Sequence, residues 1–336
     1  LIFNDEKYYF QPKSTLLNLL IRVLLIPINN WKISSILKAI NPDILHSHYI
    51  NDWSFIGAWN YQGTLITTAW GSDVLSKSPT ARITKIFKSY VMKKSSIITC
   101  DGNHIRDSIE TFGVDPSKIQ LINFGTDTQL FHPKHRESQH NIRLLNKSSI
   151  NIISLRNLEP IYDVTSLILA TPKVLARHPQ TSFIICGSGS DKRKLQQLAK
   201  SLGTEDNITF TGKIHQDDLP KLLANADIYV STALSDAGLA ASTAESMASG
   251  TPVIVTEGSD NHLWVDNGNS GFLVPKKNPA ILAEKIIDLI ENPETRKPDL
   301  LAKCIRKRMF QKYDSIRDLF PSVVLEIHVL LKKNGW

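Results

Sequence analysis

Short apolar runs recur along this chain, and between them apolar residues return at every third or fourth position. The runs read as strands: the start of ILHSHYINDWSFIGAWN, which leads on into a loop and a helix, TLITTAWGSDVL from Thr64 to an end at Gly71, SSIITC ending at Cys100, KIQLINFG, INIISLR, SFIICGSG, ITFTG, DIYVST, VIVTEG and NGNSGFLVP. The intervening stretches read as helices. The clearest covers residues 80–94, where Ile83, Ile86, Phe87, Tyr90 and Val91 share one face and Arg82, Lys85 and Lys88 lie opposite. Others run from Asn103 to Gly113, up to about His178, up to about Gly203, through DDLPKLLANA, and from Pro279 to Ile290. Strands alternating with helices predict an α/β chain built on parallel sheets.

Two stretches depart from this alternation. Residues 14–28 are apolar on every side apart from Asn18 and Arg22, and Pro27 is expected to end them. That is too short for a membrane span, so a buried helix is expected, with membrane contact as the second reading. Between Pro133 and Ser149 the chain turns polar, which marks a linker. The expected organisation is a first domain over 1–135, a linker over 136–149, a second domain over 150–307, and closing helices over 308–336. The last part carries Lys303, Arg306, Lys307, Arg308 and Lys312, then the apolar FPSVVLEIHVLL.

At 336 residues there is enough chain for two cores. The formal charge of +7, from 39 Lys and Arg against 32 Asp and Glu, suits phosphate-bearing ligands or an anionic surface. Zinc-finger spacing is absent, and aromatic residues are not interleaved with a basic run, so nucleic-acid binding rests on charge alone and is not expected. From Ser76 to Cys100 there are six basic residues and no acidic one, a solvated face or a site for anionic lipid. Cys100, Cys186 and Cys304 read as reduced core residues.

The chemistry-bearing stretch is STALSDAGLAASTAESMASGTPV, from Ser231 to Val253. Asp236 stands nine positions ahead of Glu245, with small residues almost throughout the interval. Small side chains let backbone N–H groups approach an anion or a polyhydroxylated ligand, and the two carboxylates can accept hydroxyl hydrogen bonds. The plainer alternative makes Asp236 a helix N-cap and Glu245 an exposed helix residue. Arg156 closes the apolar run NIISL, where a charge needs a partner. Lys213 follows ITFTG and is equally well read as a surface lysine; GSG at 187–189 reads as a tight strand-to-helix turn. His46 and His48 lie two apart on one strand face without a third ligand at metal-binding spacing.

These pieces together resemble the retaining glycosyltransferases of the two-Rossmann-domain (GT-B) architecture, in the large family often called GT4. ESMASGTPVIV is similar to that family's helix-and-strand segment. NFGTDTQLFHP, TAWGSDVL and DILHSHY are similar to three of its first-domain segments, in the same order. The resemblance implies two Rossmann-like domains with parallel sheets facing across a cleft. It implies a UDP- or GDP-sugar donor and a glycan or lipid-linked acceptor, in cell-surface polysaccharide or glycolipid synthesis. Transfer would retain anomeric configuration, without cofactor or metal, in the cytoplasm, with helix 80–94 offering a peripheral contact to the inner membrane face. Arg156, Lys213, Gly187, Asp236, Gly238, Leu239 and Glu245 are then expected on the donor. Arg156, Asp236 and His48 would be the catalytic residues: Arg156 would meet the diphosphate and Asp236 the sugar, with Glu245 on the ribose, while His48, Trp70, Gly71 and Asp73 fall on the acceptor side.

The chain also departs from the pattern. Asp236 replaces a Glu usually eight positions before Glu245; Ile161 and Tyr162 stand where a Lys is common; and Trp70 replaces a His. Alternatives are a sugar-nucleotide epimerase or glycogen synthase-like enzyme on the same fold, or a non-catalytic nucleotide-sugar-binding subunit. The chain starts at Leu1 with too few residues ahead of DILHSHY for the family's usual first strands, so its first domain is expected to be truncated or reduced.

Overall fold

In the computed structural model, residues 15–75, 81–123, 125–136, 144–146 and 148–292 are described, without the side chains of 15–26 and 81–83. They form two compact units. The first carries four parallel strands in the order β1 (Ile44–His48), β2 (Thr64–Thr68), β3 (Ile97–Cys100) and β4 (Ile119–Leu121). The second carries six parallel strands: β5 (Ile150–Ser154), β6 (Thr181–Cys186), β7 (Ile208–Gly212), β8 (Ile228–Ser231), β9 (Val253–Thr256) and β10 (Gly271–Val274). Their spatial order is β10-β9-β8-β5-β6-β7. Asp101–His104 belong to this second unit by contact.

The second unit's strands are apolar on both faces because helices cover both. Ile152, Phe183, Ile185, Val230 and Ile254 face α6 (Val164–Arg177) and α11 (Pro279–Glu291), with Leu167, Ile168, Leu282 and Ile286 completing that core. The alternate residues Ile153, Ile184, Tyr229, Val253 and Val255 pack with Leu222 and Leu223 of α8 (Leu219–Asn225) and Met247 of α9 (Ala241–Ala248). Helix α7 (Lys192–Ser201) adds Leu195 and Ala199 to the first of these cores, and α10 (Asn261–Trp264) is a single turn that sequence periodicity does not reveal. β5 is the hinge of the topology: the chain leaves it to one side for β6 and β7, and returns to its other side with β8. Ligands of doubly wound sheets bind beyond the carboxyl ends of strands at such a switch point. Here it lies between β5 and β8.

In the first unit three expectations need correction. Helix α1 (Thr15–Ile40) continues through Pro27. A proline inside a helix removes one backbone bond without forbidding the turns on either side. The stop comes instead at Asn41, at φ 45° with its N–H on the Leu37 carbonyl, just before Pro42. Strand β2 ends at Thr68, and Ser72–Leu75 form a short helix, α3. In α4 (Ala81–Lys94), Ile86 points outward at 72% exposure. The rings of Phe87 and Tyr90 lie 4.8 and 5.4 Å from Phe55 of α2 (Asp52–Asn60), and Val91 and Met92 are buried, so the helix is rotated about that aromatic contact. Lys88, expected on the solvent face, donates to the Asp73 carbonyl. Helix α5 (Asn103–Glu110) follows β3. Cys100 and Cys186 are buried and form no disulfide among the described residues. Cys304, the basic cluster at 303–312, the closing helices and most of the linker lie outside the described residues. Among the described residues no helix is long and apolar enough to cross a membrane.

The turns after β5 and β6 are pressed together where the site forms. Gly187 has φ 135°, and a Cβ there would stand 2.5 Å from the Arg156 carbonyl oxygen. By contrast, Gly203, which ends α7 at φ 66°, has nothing within 4 Å of such an atom. Gly203→Ala therefore meets only the left-handed backbone penalty, about 1 kcal/mol. Gly187→Ala adds overpacking against main chain and costs roughly 2–5 kcal/mol. Urea unfolding of the two variants side by side checks the difference, and equal losses would contradict it.

Candidate functional site

Beyond the end of β5 the backbone carries Arg156 into the switch-point crevice, where it is only 8% exposed. A buried guanidinium needs partners on all sides. Nη2 is ion-paired with Oδ1 of Asp236, in the loop after β8. Nη1 lies 3.4 Å from Ser242 Oγ, and that hydroxyl is 2.8 Å from the hydroxyl of fully buried Tyr229. The guanidinium stacks on the Tyr162 ring at 4.4 Å, a cation–π contact. Nε is buried without a hydrogen-bond partner among the described residues. Burial opposes the charge, but the Tyr229 oxygen, the Asp236 carboxylate and Tyr162 outweigh it and hold the Arg156 pKa above its ordinary value. Tyr162 thus acts as a platform for the arginine. The Tyr162 carbonyl accepts from Thr232 Oγ1 at 3.0 Å, and the Ile161 carbonyl from the Leu234 N–H at 2.8 Å, tying the β5 loop to the β8 loop.

Asp236 is not an N-cap. Helix α9 begins behind Ala240 with no side-chain cap bond, because the carboxylate is drawn to Arg156. The main chain of Asp236 is fastened at both ends. Its N–H donates to Ser259 Oγ at 2.9 Å, the same hydroxyl donates to its carbonyl at 2.8 Å, and His104 Nε2 lies 2.9 Å from that carbonyl. Ser259 sits at φ 48° to make this bridge. His104 Nδ1 faces Asp260 Oδ1 at 3.3 Å, and Asp260 Oδ2 accepts the Asn103 N–H at 2.6 Å. The Gly238 N–H, expected to await an anion, donates to Asp101 Oδ2 at 3.2 Å. The other Asp101 oxygen is buried without a hydrogen-bond partner among the described residues, and burial pushes this carboxyl up to about 6.

The remaining expected residues are dispersed. Leu239 is partly buried and packs against the core on the α8 and α9 face of the sheet. Glu245 is half-buried on α9, and burial raises its pKa. Lys213 is exposed behind β7, two strands from β5 and so about 10 Å along the sheet. In the first unit, His48 ends β1 with its ring 4.1 Å from that of His46 and 6.2 Å from that of Trp70, which is 42% exposed. Desolvation lowers both histidines, His46 to about 4 with His48 contributing. Gly71 has φ 102°. Asp73 is buried and accepts the N–H groups of Ile50 and Trp70 at 3.0 and 3.1 Å, which assigns it to holding loops. No group of three metal-binding side chains occurs among the described residues.

Sequence reasoning missed Asp101, His104, Tyr229, Ser242, Ser259 and Asp260. Tyr229 is the one signal that stood in the open, a phenol in the otherwise apolar strand IYV. The others come from loops brought together only by the fold.

Comparison with known proteins extends the account. Residues 4–130 match the family described as Glycosyltransferase Family 4, and residues 135–300 the one described as Glycosyl transferases group 1. Spore coat protein SA of Bacillus subtilis is 25% identical over 193 residues, which are 54% of this chain and 51% of that protein. A D-inositol 3-phosphate glycosyltransferase of Corynebacterium efficiens is 25% identical over 280 residues, 77% of this chain and 65% of that one. The chain thus spans about half to two thirds of the length of these curated relatives. The crystal structure of Anabaena Alr3699/HepE in complex with UDP superposes with a TM-score of 0.75 at 17% identity, over 88% of this chain and 82% of that one. With both family models matched in succession and this fold shared, the chain belongs to the GT-B glycosyltransferases of the group 1 family, also called GT4.

Proposed function

We propose that the chain transfers a sugar from a nucleoside diphosphate sugar to a glycan or lipid-linked acceptor, with retention of configuration. The observation that carries this reading is Arg156, a buried cation stacked on Tyr162 at the switch point of a doubly wound sheet. A leaving diphosphate develops negative charge as the glycosidic bond breaks, and a fixed guanidinium in a desolvated crevice stabilises it without reorganisation. Glu245, half-buried on α9, takes the ribose hydroxyls, and Asp236 takes hydroxyls of the sugar. A metal ion is not needed in this scheme, since Arg156 supplies the positive charge. The UDP in the HepE structure supports a uridine donor, with a guanosine donor as the alternative.

On the first unit, exposed Trp70 and His48 with the Gly71 turn offer an acceptor surface of aromatic and imidazole edges. Asp73 serves it indirectly, by fixing the loops. Exposed Ile86 beside Lys85 on α4 supports an acceptor at an anionic lipid surface. A non-catalytic nucleotide-binding subunit is the second reading, favoured by the Asp101 carboxylate already seated on the Gly238 N–H. Slow hydrolysis or transfer of donor by the purified protein excludes it.

Thermal melting with UDP, GDP and ADP tests the site first. At a hundred times its dissociation constant, the cognate nucleotide stabilises by about 2.7 kcal/mol and raises the Tm by several degrees, while the others do not. Arg156→Lys keeps the charge but loses the planar stack and fork, so it weakens nucleotide binding about tenfold or more and cuts that stabilisation to about half or less at the same concentration. Titration calorimetry reads the change, and an unaltered Kd would remove Arg156 from the diphosphate. Glu245 must be ionised to accept two hydroxyls, and its pKa is raised. Nucleotide affinity therefore falls as pH drops through a range above that of an ordinary glutamate. Glu245→Gln binds more weakly at neutral pH and flattens this dependence; a profile identical to wild type would contradict the ribose assignment.

A further inference from the structure

We propose that Asp236 is a displaceable counter-ion that makes the site favour a sugar-bearing nucleotide over the bare nucleoside diphosphate. This rests on the donor-site reading of Arg156. The guanidinium edge that would meet a diphosphate is engaged by Asp236, whose side chain is 10% exposed. An arriving diphosphate competes with that carboxylate for the same Nη2.

How the carboxylate leaves is set by its surroundings. The Asp236 N–H and carbonyl are both fastened to Ser259, and the carbonyl also to His104. Two residues on, Gly238 is wedged so tightly that a Cβ would stand 2.2 Å from the Asp101 carbonyl oxygen. The loop therefore does not withdraw; the side chain rotates. Once off Arg156, a nearly buried carboxylate needs hydrogen-bond donors. The acids Asp101 and Asp260 offer none, and the ring nitrogens of His104 face Asp260 and the Asp236 carbonyl. Hydroxyl groups of a donor sugar supply them. A nucleoside diphosphate alone takes Arg156 and leaves Asp236 stranded, so the ion pair opposes the product more than the donor. After transfer the carboxylate loses its sugar hydroxyls and returns to Arg156, which expels the product.

The test is calorimetric titration of the full chain with UDP and UDP-glucose, and in parallel with GDP and GDP-mannose. If the pair is closed in nine-tenths of molecules, its removal tightens binding of the bare nucleotide about tenfold. Asp236→Asn is expected to show that gain for UDP or GDP and a smaller gain, or a loss, for the sugar nucleotide. Asp236→Ser repeats the test should the asparagine variant not melt cooperatively. Binding of the bare nucleotide no tighter than in wild type, while Arg156→Lys weakens it, overturns the counter-ion role alone. Unchanged binding in Arg156→Lys, or no binding of any nucleotide to wild type, overturns the donor-site reading and this inference with it.

Discussion

The second unit is organised around a charge that the fold has taken out of water. Arg156 follows a strand buried on both faces, and the neighbourhood is what such a charge requires: a carboxylate on one edge, a hydroxyl on the other, an aromatic face beneath. A buried ion pair is weak evidence of stability, because desolving both ions costs about what their attraction returns. Under the proposed function it is a position held for chemistry. The 3-10 turn Pro160–Tyr162, the β8 loop and the first turn of α9 each contribute one contact to the guanidinium, and each is fastened to another by a backbone bond.

The loops around that charge are built from residues that give up ordinary conformations. Gly187 takes φ 135° so that the β6 turn can lie against the Arg156 carbonyl, and Ser259 takes φ 48° so that one hydroxyl serves both ends of Asp236. Such strain persists where surrounding structure over-determines it. Here the surroundings are the tightly packed sheet and a second ring of acids, Asp101 and Asp260, reached through Gly238 and His104.

Much of this fold could be read from the sequence. Apolar runs such as NIIS and FIIC become central strands because nothing but a doubly covered sheet buries both faces of them. Arg156 was legible because a charge closing such a run demands a partner. Two of the errors share a cause. Ile86 does not join the core and Asp236 does not cap α9, because in both cases a contact from elsewhere in the chain overrides the local rule, whereas Pro27 fails to stop α1 because one lost backbone bond does not end a helix. Phe55 sets the rotation of α4, and Arg156, 80 residues away, claims the carboxylate. His104 and Asp260, 156 residues apart, leave no trace in any local pattern.

The central claim is that Arg156 receives the donor diphosphate in exchange for Asp236. A crystal structure of the full chain with its cognate nucleoside diphosphate sugar tests it most directly. The account predicts phosphate oxygens within hydrogen-bond distance of the Arg156 guanidinium, the Tyr162 stack retained, and the Asp236 carboxylate rotated onto sugar hydroxyls over an unmoved backbone. A nucleotide bound with the Arg156–Asp236 pair intact and the diphosphate held elsewhere would contradict it.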